Sequence, residues 1–229
     1  MRIYFIRHGH PDYKNDCLTE LGRVQAEACA QRLRGEGIQK FFASSKGRAV
    51  ETAEYTAKEF GAEVEKLDFI QEIIWCSKTK EPIFANGHPW LISDDMVLKG
   101  ENLWNMNWAE SDRFSSSVIE KHVKRVTDGL DEWLKLFGYE REGNYYRVVS
   151  DNTDQAVAVF SHAGASSVAL SHMLSLPLPW VFHSMCLDFT SITIVDLSNE
   201  KGTLTFPRLN LFNDAKHLEG IKTENFFGN

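Results

Sequence analysis

Short apolar runs alternate with amphipathic ones along the first third of the chain. Arg2 to Ile6 is nearly all apolar, as expected of a strand buried on both faces of a parallel sheet. Leu18-Thr19-Glu20-Leu21-Gly22 opens a helix with Thr19 as its N-cap. Its small and apolar positions continue through Ala26, Cys29, Ala30 and Leu33, and Gly35 and Gly37 end it. Phe41-Phe42-Ala43 predicts a second strand. Ala49, Thr52, Ala53, Thr56, Ala57 and Phe60 recur at helical spacing up to Gly61. Glu63 to Leu67 alternates and predicts an edge strand.

The rhythm stops over residues 73–115. Pro82, Gly87, Pro89 and Gly100 interrupt them, no period is sustained, and an inserted cap over one end of the domain is expected. A long amphipathic helix follows, with Ile119, Val123, Val126, Leu130, Trp133, Leu134 and Phe137 on one face. Tyr139 to Asp154 is polar and carries Gly143-Asn144, so it predicts a hairpin or loop. Ala156 to Phe160 is the strongest buried-strand signal. A helix through Val168 to Leu174 stops before Pro177. Ser191–Leu197 and Thr203–Phe206 predict two last strands, with an irregular tail after Phe206. Strands alternating with helices imply an α/β layer fold with a mostly parallel sheet, as a single domain over residues 1–229.

Composition narrows the function. The 229 residues are 43% hydrophobic, enough for one core and too apolar for a disordered chain. The net charge of −7 argues against a nucleic-acid partner, and no apolar run reaches the ~18–20 residues that span a bilayer. Ile3 to Ile6, closed by Arg7, is too short for a signal peptide. Cys17, Cys29, Cys76 and Cys186 are scattered, without a Cys-x-x-Cys pair, so a disulfide framework or zinc knuckle is not expected and a reducing cytoplasm is. Four of the six Trp (Trp75, Trp90, Trp104, Trp108) fall within 34 residues.

Two strands end alike, and this is where chemistry is expected. Ile3–Ile6 runs into Arg7-His8-Gly9-His10, and Val157–Phe160 into Ser161-His162-Ala163-Gly164. Each places a His just past the carboxyl end of a buried strand, the edge at which open α/β sheets bind ligands, beside small residues that admit close approach. Arg48 follows Ser44-Ser45 in the first turn of a helix, where free N–H groups and the dipole favour anions. Arg7 leaves a buried strand and needs an anionic partner; a phosphoryl group suits its bidentate fork.

These residues resemble the histidine phosphatase superfamily, the phosphoglycerate-mutase-like group, in its small phosphatase branch. The resemblance rests on Arg7-His8-Gly9, Leu18-Thr19-x-x-Gly22-x-x-Gln25-Ala26, Ser44-Ser45-x-x-Arg48-Ala49-x-x-Thr52-Ala53, Glu72 and Ser161-His162-x-Gly164. It runs over residues 1–75 and again over about 155–218, in the family's order. It implies a three-layer α/β/α sandwich with an inserted cap at about 73–115. It implies a metal-independent phosphatase of the histidine acid type, needing no cofactor, whose partner is a small phosphomonoester, and it leaves room for a homodimer. His8 would attack phosphorus and become a transient phosphohistidine. It must be neutral to do so, and Arg7 and Arg48 would depress its pKa. Arg7, Arg48 and His162 would hold the phosphoryl oxygens, and Glu72 would protonate the leaving group. Gly9, His10, Ala163 and Trp75 complete the expected substrate-binding set.

The chain departs from that pattern in places. Ala163 stands where Gly is usual, Lys46-Gly47 replaces a Pro-containing turn, and Pro11 replaces a frequent Thr. The Glu-Arg-His-Tyr-Gly stretch of mutases is absent, since Ile73-Ile74-Trp75-Cys76 follows Glu72. A phosphatase is therefore favoured over a cofactor-dependent mutase. Two other readings compete. His8-x-His10-x-Asp12 matches the start of a zinc-hydrolase motif, but Tyr13 stands where another His belongs, and Arg7 and Arg48 are left without a role. A silenced member that only binds phosphorylated ligands would need neither a nucleophile nor an acid. The tryptophans with Phe84 would wall an apolar or aromatic leaving group, or simply hold the insertion together. Lys78 and Lys80 could favour a second anionic group. The global −7 points away from polyanionic substrates.

Overall fold

The computed structural model describes residues 1–74, 90–115, 117–151, 153 and 155–221, with only the backbone of Trp90, Asp112 and Ser115. The element order is β1 (Arg2–Arg7), β2 (Pro11–Asp12), β3 (Cys17–Leu18), α1 (Glu20–Leu33), β4 (Lys40–Ser44), α2 (Gly47–Phe60), β5 (Val64–Leu67), α3 (Trp90–Leu98), α4 (Asp112–Ser115), α5 (Ile119–Lys135), β6 (Tyr139–Glu142), β7 (Tyr145–Val148), β8 (Ala156–Ser161), α6 (Ala163–Leu174), α7 (Leu178–Ser184), β9 (Ile192–Asp196), β10 (Leu204–Thr205) and β11 (Arg208–Asp214).

Among the described residues the central sheet has the order β11-β9-β1-β8-β4-β5. The pairs β1–β8, β8–β4 and β4–β5 are parallel, and β9 pairs antiparallel with both β1 and β11. Alternation along the strands feeds two cores. Ile3, Phe5, Phe42, Val157 and Val159 face α5 and α6 through Val126, Leu130, Leu134, Val168 and Leu170. Tyr4, Ile6, Phe41, Ala158 and Phe160 face α1 and α2 through Cys29, Leu33, Ala53 and Ala57. Both faces are covered, which is why β1 and β8 read as unbroken apolar runs. Each fully buried Leu or Val contributes roughly 1.5–3 kcal/mol to this three-layer arrangement.

The connections leaving β1 and β8 run to opposite sides of the sheet, over opposite faces. That leaves a crevice at their carboxyl ends. Register then brings the chemistry together: Arg7 pairs with Ser161 and Ala43 with Phe160, so the loops after β1, β4 and β8 emerge side by side.

Several expectations need correction. The stretch after Phe206 is not irregular: residues 208–214 form β11 at the sheet edge. Its alternation is blurred because its first three residues are exposed and its register against β9 shifts twice. The pause before it is real, since Leu204–Thr205 joins β6 and β7 in a separate small sheet instead. Within the insertion, residues 90–98 form a helix, and Ile92, Met96 and Phe114 belong to the main core. Residues after Pro177 form a further short helix, α7, which the sequence pattern does not mark. No helix among the described residues is long and apolar enough to cross a membrane.

Candidate active site

The loop after β1 is locked onto α1 and α2. His8 N–H donates to the Ser161 carbonyl at 2.9 Å, Gly9 N–H to Thr52 Oγ1 at 3.1 Å, and His10 N–H to Gln25 Oε1 at 2.8 Å. Thr19 caps α1 by accepting from Gly22 N–H at 3.1 Å, and its own N–H donates to the His10 carbonyl at 3.0 Å. A Cβ on Gly22 would lie 2.2 Å from that carbonyl, and one on Gly9 would lie 2.6 Å from the Gly22 carbonyl. The spacing Leu18-Thr19-x-x-Gly22-x-x-Gln25 is therefore a docking surface for Arg7-His8-Gly9-His10. Its glycines are required because two backbones touch.

His8 is only 2% exposed. Its Nδ1 lies 2.7 Å from the Gly9 carbonyl, which can only accept, so Nδ1 carries the proton and Nε2 presents its lone pair. Arg48 Nε donates to that lone pair at 3.3 Å. Burial, then the cations Arg7 and Arg48, hold the His8 pKa well below 6.5. His162 is fully buried, with its ring 5.1 Å from that of His8. Its Nδ1 takes Arg48 Nη2 at 3.1 Å, which places the proton on Nε2 for Ser44 Oγ at 2.8 Å. Burial and its neighbours also depress its pKa. Both imidazoles are thus held neutral, each with one nitrogen facing Arg48. Arg7, 5% exposed, donates from Nη1 to the Leu187 carbonyl at 2.6 Å and lies 3.9 Å beneath the Phe189 ring.

Glu72 reaches the first turn of α6, just beyond His162. Its Oε1 accepts from Ala165 N–H and Ile73 N–H, both at 3.0 Å. These donors favour the carboxylate, yet burial outweighs them and raises its pKa. Gly164 makes room, since a Cβ there would lie 2.8 Å from Glu72 Oε1. Ala163 opens α6 at the same place and is buried there.

The structure therefore brings together Arg7, His8, Arg48 and His162, with Gly9 and His10 in the same loop and Glu72, Ala163 and Gly164 at the adjoining helix start. Trp75, expected on the substrate, lies outside the described residues, as do Cys76, Lys78, Lys80 and Phe84. Trp104 is 55% exposed and packs edge-on against Trp180 at 5.4 Å, while Trp108 packs against Phe114 at 5.0 Å. Trp108 thus packs within the insertion, and Trp104 links it to α7.

Four contributors are silent in the sequence. Asp16 pairs with Arg48. Phe189 faces the rings of His8 at 5.8 Å and His10 at 5.5 Å. Tyr13 stands with its ring 5.4 Å from the Arg48 guanidinium. Arg125 of α5 clamps the Glu72 segment through the carbonyls of Phe69 and Gln71. The only local hint for Arg125 is a cation beside the apolar face of α5. The zinc pattern finds no support in Asp12, whose oxygens are spent on Lys14 N–H and on Asn15. Among the described residues, no three His, Cys, Asp or Glu side chains are grouped to hold a metal.

A buried imidazole whose Nε2 lone pair faces a guanidinium, grouped with a second guanidinium, a second imidazole and a carboxyl of raised pKa, is an arrangement suited to phosphoryl transfer through histidine. Residues 3–85 match the family model of the histidine phosphatase superfamily (branch 1). It is 27% identical over 239 residues to a probable phosphatase of Schizosaccharomyces pombe, covering 97% of this chain and 98% of that one. It is 22% identical over 218 residues to a putative phosphoserine phosphatase of Hydrogenobacter thermophilus, covering 90% and 94%. The fold matches that of the mycobacterial glucosyl-3-phosphoglycerate phosphatase in complex with inorganic phosphate. The TM-score there is 0.64, at 21% identity, over 94% of this chain and 98% of that one.

Proposed function

We propose that this protein hydrolyses small phosphomonoesters through a phosphohistidine on His8, without a metal, as a histidine-acid-type phosphatase. The observation that carries the reading is the His8 tautomer. Its proton is committed to the Gly9 carbonyl, so the reactive lone pair on Nε2 faces Arg48 and His162. In the first step Nε2 would bond to phosphorus as the ester P–O bond breaks. The leaving oxygen would take its proton from Glu72. In the second step water would attack the phosphohistidine, with Glu72 as base, releasing phosphate and restoring His8. Arg7, Arg48 and His162 would stabilise the charge on the equatorial oxygens.

The substrate class follows from the walls. Phe189 presents an aromatic face beside His8 and His10, while Asp16 pairs with Arg48 at the edge of the cluster and adds negative charge there. This favours a monoester with a small apolar or aromatic part over a multiply phosphorylated sugar. The scattered thiols, three of them free among the described residues, fit a reducing compartment such as the cytoplasm.

The test is a panel of phosphomonoesters, phosphoserine and phosphoglycerates included, assayed with and without EDTA and with vanadate. Wild type should turn over, ignore EDTA and be inhibited by vanadate. His8→Ala should lose at least about 10³-fold in kcat. Turnover that survives His8→Ala, or that EDTA abolishes, overturns the reading.

A further inference from the structure

Asp16 ends the turn between β2 and β3 at φ 50, in the left-handed region that Asp tolerates better than most residues. The start of α2 holds it there. Its Oδ2 accepts from Gly47 N–H at 2.9 Å, and its Oδ1 takes Arg48 Nη1 at 2.5 Å. The Asp16 carbonyl lies so near that a Cβ on Gly47 would be 2.1 Å from it. Lys46-Gly47, odd as a sequence feature, is therefore what admits Asp16 to the site.

The consequence lies in Arg48. Each of its three nitrogens has one partner: Nε faces His8 Nε2 at 3.3 Å, Nη2 faces His162 Nδ1 at 3.1 Å, and Nη1 faces Asp16. Two of these partners are the neutral imidazoles where phosphoryl transfer is read to occur. The third is the carboxylate, whose side chain is 40% exposed against 10% for Arg48. A planar guanidinium held on one edge by an ionic pair has its other two donors aimed. Phosphate bound at His8 would share Arg48 with a carboxylate already in place, and the same carboxylate occupies the amide end of α2 that would otherwise favour an anion.

We propose that Asp16 is a positioning residue that aims Arg48 at His8 and His162, and that by sharing Arg48 with bound phosphate it weakens the hold on the product and so speeds its release. The inference rests on the phosphatase reading of this site.

Asp16→Asn and Asp16→Ala separate the two effects. Asn keeps one acceptor oxygen, which can serve Arg48 Nη1 only by giving up Gly47 N–H, and removes the charge, whereas Ala removes both acceptors and the charge. Orthovanadate and inorganic phosphate binding would be measured by calorimetry, beside kcat and KM on an aryl phosphomonoester and a melting curve for each variant. Asp16→Asn should bind phosphate about tenfold tighter than wild type, with a lower KM and a kcat within severalfold of wild type. Asp16→Ala should lose about tenfold in kcat and bind vanadate no tighter than wild type. If Asp16→Ala unfolds, Asp16→Ser takes its place. Wild-type phosphate affinity in Asp16→Asn, or the same behaviour in the Asn and Ala variants, overturns the proposal. If wild type hydrolyses no phosphomonoester while vanadate binding still separates the two variants, the phosphatase reading falls and the role of Asp16 stands.

Discussion

Gly164 and Glu72 are fitted to each other: a single Cβ on Gly164 would come within 2.8 Å of Glu72 Oε1, the oxygen that Ala165 N–H binds at 3.0 Å. Ile73 closes the other side, 2.7 Å from the same Cβ position. Glycine here therefore leaves room for the Glu72 carboxyl. Gly164→Ala should displace Glu72 or Ile73 and destabilise the protein by about 1–3 kcal/mol. Its kinetic signature should depend on the leaving group. Alkyl phosphomonoesters, which need a proton on the departing oxygen, should slow by about tenfold or more, and a nitrophenyl phosphate far less. A uniform loss across both substrates would mean that Gly164 serves only the fold.

The pH profile should carry two opposite shifts. In the proposed mechanism His8 must be neutral to attack, and burial with Arg7 and Arg48 holds its pKa well below 6.5, so the acid limb of kcat/KM should fall below pH 6.5. As the proposed acid Glu72 must be protonated, and burial raises its pKa above 4.5, so activity on alkyl esters should decline as pH rises through that raised value. Glu72→Gln should abolish this alkaline decline and slow alkyl esters by about 10²-fold or more. An acid limb at or above pH 6.5 in wild type would contradict the buried, neutral nucleophile. The same burial makes stability acid-sensitive. Unfolded histidines gain protons as pH falls below 6.5, while folded His8 and His162 resist, so folding free energy is lost on acidification. The slope is up to about 1.4 kcal/mol per pH unit for each histidine. His162→Gln should flatten the dependence of Tm on pH.

What the sequence disclosed follows from range. The Thr19 cap, the stripe from Ala49 to Phe60 and the apolar runs of β1 and β8 are local patterns, and local physics suffices to read them. His8, Arg48 and His162 stood out because each follows a strand or opens a helix whose direction the pattern sets. Asp16, Phe189 and Arg125 did not, because each acts on a residue far along the chain and is locally an ordinary polar or apolar position. The tryptophan cluster leaves two readings open, a wall for the leaving group or a core that holds the insertion. It is conspicuous in composition, yet Trp104 and Trp108 spend their rings on Trp180 and Phe114. Among the described residues, the ring set against His8 and His10 is that of Phe189, in a stretch with no compositional signal.

Phe189 is held in place by strain beside it. Thr190, β-branched and fully buried, sits at φ 54, and its N–H donates to the Arg7 carbonyl at 3.0 Å. Its hydroxyl lies 3.0 Å from His217 Nε2. A conformation of this kind costs about 1–3 kcal/mol and persists only where its surroundings impose it. Here it turns Phe189 over the Arg7 guanidinium. Phe189→Leu keeps the apolar contact and removes the π-face. It should raise KM and the vanadate inhibition constant by about three- to thirtyfold while the fold persists. Unchanged phosphate affinity would reduce Phe189 to packing.

Arg125 offers the last check on how the acid is held. Its Nη2 donates to the Gln71 carbonyl at 2.5 Å and to the Glu72 carbonyl at 3.3 Å, and its Nε donates to the Phe69 carbonyl at 3.2 Å. A helix on the outer layer thus fastens the backbone that carries Glu72, with three charge-assisted bonds that Lys cannot reproduce. Because Arg125 reaches carbonyls rather than the carboxyl group, its loss should loosen the acid without removing it. Arg125→Lys should lower kcat on alkyl phosphomonoesters by about tenfold, leave vanadate binding near wild type, and lower Tm modestly. The diagnostic is the comparison with Glu72→Gln. Adding Arg125→Lys to that variant should cause no further loss on alkyl esters, because both changes act through one proton donor. Full additivity of the two losses would show that Arg125 acts elsewhere.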